Sequence, residues 1–215
     1  MKNTDIKFYL INLDERIDRL NDFINNINSN NFNEYIFNRI SAVRDNDFGG
    51  IGCGKSHIIA LSDFILNSRE NYCVVFEDDF RFKTTRKEFD LNFSNLLNEH
   101  KDFKVWLLSG TKVICFDDRP SFPEIFESQS ASGYMVTREY AKKLLNTFID
   151  SVSLMEKYRF NKNRKYIYDK FSIDQHWKIL QHGGGWHASI PMLGYQCESF
   201  SDIEGRFVNY ESIAS

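Results

Sequence analysis

The chain has 215 residues, a net charge of −3, 42% hydrophobic and 27% charged residues, which describes one ordinary globular domain with room for a sizeable core. There is no basic footprint for nucleic acid and no apolar run near the ~20 residues that span a bilayer. The start, Met1 to Asp5, lacks a signal-peptide apolar core, and the four cysteines are scattered without a CxxC pair. Free thiols in a reducing, cytosolic compartment are therefore expected, with no structural zinc site.

Lys7 to Leu13 reads as a first strand. Asp14 follows as a candidate cap for a helix whose apolar positions Ile17, Leu20, Phe23, Ile24 and Ile27 keep helical spacing. Arg16 and Arg19 lie on that helix, where a solvated pair of charges is the ordinary reading. Tyr35 to Val43 is a second strand candidate. A polar loop leads to Gly49 through His57, and from Ser56 onward the pattern is a strongly apolar helix ending near Asn67.

Next comes Tyr72-Cys73-Val74-Val75-Phe76-Glu77-Asp78-Asp79-Phe80. A short β-branched and aromatic run of this kind is a strand buried on both faces, as in a parallel sheet. It opens into three consecutive carboxylates. Like charges so close raise one another's pKa or require a cation, and ligand crevices of open α/β sheets lie at the carboxyl ends of strands. Hard oxygen ligands suit Mg²⁺ or Mn²⁺. A solvated acidic turn is the bland alternative.

Beyond it, Thr84 to His100 is helical in pattern and Lys104 to Gly110 is another buried strand. Ile114 to Gln129, with Pro120 and Pro123, is a loop or a short antiparallel excursion. Ser130 to Thr137 is a short strand, and Arg138 to Leu145 opens a helix. Tyr158, Phe160, Tyr166 and Tyr168, among Lys162, Arg164 and Lys165, form either an aromatic ligand-stacking surface or a solvated loop. One or two helical turns over Asp174 to Leu180 end at Gly183-Gly184-Gly185, before a last strand at His187 to Ile190. Alternating strands and helices without repeats give one α/β domain over residues 1–215, a mixed, mostly parallel sheet flanked by helices.

Gly49 to Ser56 formally matches G-x-x-x-x-G-K-[ST], the phosphate loop of nucleotide hydrolases. Such a loop needs a buried strand running into its first glycine, and here the polar Arg44-Asp45-Asn46-Asp47-Phe48 intervenes. A glycine-rich helix start still attracts anions, which leaves Lys55, Ser56 and His57 as candidate phosphate contacts.

Five segments in order resemble glycosyltransferase family 25, the lipooligosaccharide and collagen galactosyltransferase group. Ile11 through Arg19 resembles its INLD-x-x-x-x-R, Gly52 through His57 its GC-x-x-SH, and Val75 through Asp79 its apolar-EDD motif. Ser132 through Arg138 with Ala141 resembles its G-Y-x-[ILV]-[ST]-R-x-x-A segment, and Ile173 through Trp177 its V-D-x-x-L/W segment. Gly54-Lys55 departs from the small or apolar pair usual before Ser-His. The resemblance implies a GT-A-type nucleotide-sugar-binding fold and inverting transfer of a hexose, such as galactose or glucose. The donor would be a nucleotide-sugar, a UDP-sugar by preference, and the acceptor a glycan, glycolipid or protein.

On this pattern Asp79 contacts the cation first, with Asp78 and Glu77 acting through water or the ribose. Arg16 or Lys55 supplies compensating charge. Ile11, Asn12, Leu13 and Ala42 frame the base and ribose, and His57 touches phosphate or fixes the loop. His187 is a late third metal ligand. Asp174 is the base, with a helix-capping role as its structural alternative. A catalytically inactive binding module of the same fold is the other reading.

Overall fold

The computed structural model describes residues 5–117 and 121–197, together with the backbone of Ser199–Ser201 and Arg206–Val208. A six-stranded sheet runs through the middle. Its members are β1 (Ile6–Asn12), β2 (Phe37–Ser41), β3 (Tyr72–Glu77), β5 (Val105–Leu107), β8 (Gly133–Thr137) and β9 (Trp186–Ala188), in the order β2-β1-β3-β8-β5-β9. Only β8 runs against its neighbours; the β1–β2, β1–β3 and β5–β9 pairs are parallel.

Both faces of the sheet are buried, and the period-two alternation of the strands decides which side chain goes where. Tyr9, Ile11, Cys73, Val75, Leu107 and Tyr134 face one core. Helix α2 (Gly49–Asn67) and helix α4 (Arg138–Tyr158) cover it. Phe8, Leu10, Val74, Phe76, Trp106 and Met135 face the other, under α1 (Ile17–Ser29) and α3 (Arg86–Glu99). That second core is largely aromatic. Phe32 stacks on Phe82 with ring centres 3.8 Å apart, and Phe76 meets Phe80 at 4.5 Å. Helix α3 begins with a capping box in which Thr85 and Glu88 satisfy each other's backbone amides.

Two expectations change, and an open alternative is resolved. Asp14 does not cap α1; Arg16 holds the cap position, and the Asp14 carboxylate accepts from Arg39 and Ser41 across to β2. Helix α2 starts at Gly49, seven residues before Ser56, so the glycine-rich stretch is helix and not a phosphate-cradling loop. Its glycines serve close packing. A Cβ on Gly52 would sit 2.4 Å from the Val43 carbonyl oxygen, and one on Gly54 would sit 2.5 Å from Val152 on α4. Of the two readings for the stretch ending at Gln129, the antiparallel excursion holds: β6 (Thr111–Cys115) pairs antiparallel with β7 (Ile125–Gln129).

Helices α5 (Arg164–Phe171), α6 (Ile173–His176) and α7 (Lys178–Gln181) follow. Strand β10 (Gly194–Gln196) pairs antiparallel with β4 (Phe80–Phe82), which lays the late part of the chain against the turn after β3. Strands β11 (Ser199–Ser201) and β12 (Arg206–Val208) form a separate antiparallel pair. Among the described residues no helix is long and apolar enough to cross a membrane.

Candidate active site

Parallel strands β1 and β3 end side by side, and that register places Ile11 opposite Glu77. The carboxylates of Glu77, Asp78 and Asp79 therefore emerge beside Asn12, at the carboxyl edge of the sheet. The turn backbone is clamped: Arg81 donates to the carbonyls of Asp78 and Phe80, and the Cys197 amide donates to the Asp79 carbonyl at 2.8 Å.

Each carboxylate has a distinct environment. Asp78 is engaged at both oxygens, with Asn12 Nδ2 donating to one at 2.7 Å and Arg19 Nη1 to the other at 2.9 Å. Burial nevertheless raises its pKa, against the pull of Arg19 and Asn12. Glu77 lies against the buried ring of His57, whose Nε2 is 3.1 Å from Oε1. Burial works to raise Glu77, but the His57 contact and charge, with Cys53, bring its pKa below the usual range. Asp79 is left short. Gln196 donates to Oδ2 at 3.1 Å and Arg19 stands 3.5 Å from the same oxygen. Oδ1 is buried with no hydrogen-bond partner among the described residues. Burial first, and then the charges of Glu77 and Asp78, lift Asp79 to about 7 despite Arg19.

A buried carboxylate oxygen without a partner among three acids is a position that a proton or a cation would satisfy. The donor set is oxygen, which fits a hard divalent ion such as Mg²⁺ or Mn²⁺. Asp79 would contact it, with Glu77 and Asp78 as its neighbours.

Beside the triad opens a cleft of about 370 Å³, lined in part by Lys83, Ser109, Ser130, Met192, Tyr195 and Gln196. Gln196 links the two, since its Oε1 accepts from Ser130 Oγ while its Nε2 holds Asp79. Ser130 has a left-handed backbone, φ 73°, a conformation non-glycine residues rarely hold without support. Asp174 supplies that support: its Oδ2 accepts from the Ser130 amide at 3.0 Å and its Oδ1 from the Ser172 hydroxyl at 2.7 Å.

The chain matches solved structures at low identity. A197 from STIV matches with a TM-score of 0.50 and 11% identity, over 85% of this chain and 80% of that one. The likeness is one of fold. A glycosyltransferase involved in the glycosylation of the major capsid of PBCV-1 matches with a TM-score of 0.45 and 9% identity, over 77% of this chain and 73% of that one. Mannose-1-phosphate geranyltransferase from Thermus thermophilus matches with a TM-score of 0.45 and 6% identity, over 95% of this chain and 75% of that one. No family model and no curated protein sequence matches the chain. The resemblance to glycosyltransferase family 25 thus stands on its five segments.

Several sequence-based assignments move. Arg16 binds Asp18 on its own helix; the arginine on the carboxylates is Arg19, one turn further on. Lys55 pairs with Glu156 on α4 at 2.6 Å and brings no charge to the triad. The Ser56 hydroxyl is buried and occupied twice, accepting from the Val43 amide and donating to the Gly52 carbonyl. His57 is fully buried behind Glu77 and fixes that carboxylate. Ile11 spends its side chain in the core, and Ala42 extends the β1–β2 pairing through its amide on the Asn12 carbonyl. Leu13 is half-buried just past β1, and its carbonyl accepts from the Arg16 amide.

His187 is not a ligand of the triad. It lies on β9, three strands from β3 and so about 14 Å away in the sheet, with its ring on His100 and Nδ1 toward the Phe122 carbonyl. Of the residues not singled out, Arg19 carried a signal: it is itself the arginine of INLD-x-x-x-x-R. Gln196 carried none, since only the β10–β4 pairing brings it to Asp79.

Proposed function

We propose that this protein is a GT-A-type glycosyltransferase that moves a hexose from a UDP-sugar or related nucleotide-sugar to a glycan, glycolipid or protein acceptor, with inversion and with Mn²⁺ or Mg²⁺. One observation carries the proposal. At the carboxyl end of a central strand, Asp79 presents a buried oxygen without a partner among the described residues, next to a cleft with room for a sugar. The five family-like segments converge on the same region: Asn12 and Arg19 from the first, Cys53 and His57 from the second, the triad itself, Tyr134 from the fourth and Asp174 from the fifth.

A divalent cation on Asp79 would offset the negative charge that builds on a departing diphosphate. The protein's own side chains prepare that position. Arg19 and Asn12 hold Asp78 rigid, and His57 holds Glu77. Gln196 aims Asp79 and ties it to the cleft wall. Preorganisation of this kind lowers the reorganisation needed in the transition state.

Inversion needs a base beside the acceptor hydroxyl, and Asp174 takes that role. Its oxygens accept hydrogen bonds from Ser130 and Ser172, two of the roughly four a carboxylate can take. The test is a donor panel: hydrolysis and transfer measured over UDP-, GDP- and other nucleotide-sugars, with Mn²⁺ and with chelator. Metal-dependent turnover of one donor, lost in Asp79→Ala and in Asp174→Asn, supports the assignment. Donor binding without turnover in any combination would make this a binding module instead.

A further inference from the structure

Cys53 and His57 stand four residues apart on α2, so one helical face presents both. They meet Glu77 at the end of β3. His57 Nε2 lies 3.1 Å from Glu77 Oε1, Cys53 Sγ lies 3.6 Å from the same oxygen, and the three donor atoms lie within 4.8 Å of one another. A tetrahedral zinc shell, with Zn–S of about 2.3 Å and Zn–N and Zn–O of about 2.0–2.1 Å, has N···O edges of about 3.3 Å and S···O edges of about 3.5 Å. The two edges to Glu77 Oε1, 3.1 Å and 3.6 Å, are close to those of such a shell, and the Cys53–His57 edge lies within 4.8 Å. The second imidazole nitrogen, Nδ1, is 3.1 Å from the buried Tyr134 hydroxyl, the kind of outer contact that orients a ligating histidine.

We propose that Cys53, His57 and Glu77 form a binding site for a zinc-class cation, separate from the hard-cation position at Asp79. A thiolate and an imidazole select zinc or cobalt over magnesium or manganese. Three protein ligands leave the fourth tetrahedral position for water. A cation there pins α2 to the end of β3 and takes up the charge of Glu77. The proposal goes beyond sugar transfer and does not depend on it.

The test uses the full chain, stripped with chelator and titrated with Co²⁺ in excess Mg²⁺, then with Zn²⁺. The expected result is one cobalt per chain with a thiolate-to-metal charge-transfer band, abolished by stoichiometric zinc. In Cys53→Ser the band disappears. Zinc affinity there falls by more than the roughly 10- to 100-fold that losing an outer-shell partner costs. Cys115→Ser, on the β6–β7 hairpin, retains both. Zinc-edge X-ray absorption of the wild-type protein supplies a readout that needs no variant, with one sulfur in the shell. Cobalt binding without the band, a band that survives in Cys53→Ser, a zinc shell without sulfur, or no zinc retained by the wild-type protein would each overturn the site.

Discussion

Replacing Asp79 with Asn should make the metal-free protein more stable at alkaline pH. The Asp79 side chain is 7% exposed, and its pKa rises from an ordinary 3.8 to about 7. The folded protein therefore holds a proton there more tightly than the unfolded chain does. Linkage then makes stability fall as pH climbs from about 4 through 7, levelling off above. At about 1.4 kcal/mol per pH unit, a displacement of about 3 units sets a ceiling of about 4 kcal/mol on the cost of the ionised form. Asn is close in shape and neutral, and its amide can fill the position of the orphaned Oδ1 while its oxygen keeps the Gln196 contact. Urea unfolding at pH 5 and pH 8.5, in chelator, reads the effect directly. Asp79→Asn should gain up to that ceiling at pH 8.5 and less than half of it, about 1.7 kcal/mol, at pH 5. Mn²⁺ should stabilise the wild-type protein at pH 8.5 and leave the variant unmoved. If Asp79→Asn loses equal stability at both pH values, Asp79 is a satisfied structural carboxylate and the argument for a cation position there collapses.

Other perturbations separate the remaining assignments. Arg19→Gln leaves Asp78 and Asp79 without their shared cation and should cost about 3 kcal/mol at pH 8. The loss should shrink toward pH 5 as the carboxylates take up protons, and a flat profile would place the arginine's role elsewhere. Lys55→Ala removes a half-exposed pair with Glu156. Stability should change by under about 1 kcal/mol and donor turnover should be unaffected, whereas a phosphate-loop lysine would abolish activity. Gly52→Ala drives a methyl to 2.4 Å from a backbone carbonyl and should lower stability by about 2 kcal/mol in chemical denaturation. A neutral result there would mean that α2 can move away from the loop after β2.

The acidic tip, the two-sided burial of its strand and the α/β alternation were legible because each rests on local sequence: a β-branched run, three adjacent acids, a helical spacing. The sequence-based reading of α2 missed its first two turns. Glycine disfavours helix in isolation, and only contact with Val43 and Val152 makes Gly52 and Gly54 suitable there. The INLD-x-x-x-x-R spacing already singles out Arg19 over Arg16, the cap residue of α1, but that Arg19 reaches Asp78 and Asp79 while Arg16 turns to Asp18 is set by tertiary placement.

By its own order of residues, the chain determined where like charges gather and which segments are apolar enough to bury them. It could not determine which charges find partners. Asp78 is satisfied by Asn12 and Arg19, Glu77 by His57, and one oxygen of Asp79 by a glutamine 117 positions along the chain. Those pairings cross the sheet and its flanking helices, so they exist only once strand order and register bring distant residues within hydrogen-bonding reach.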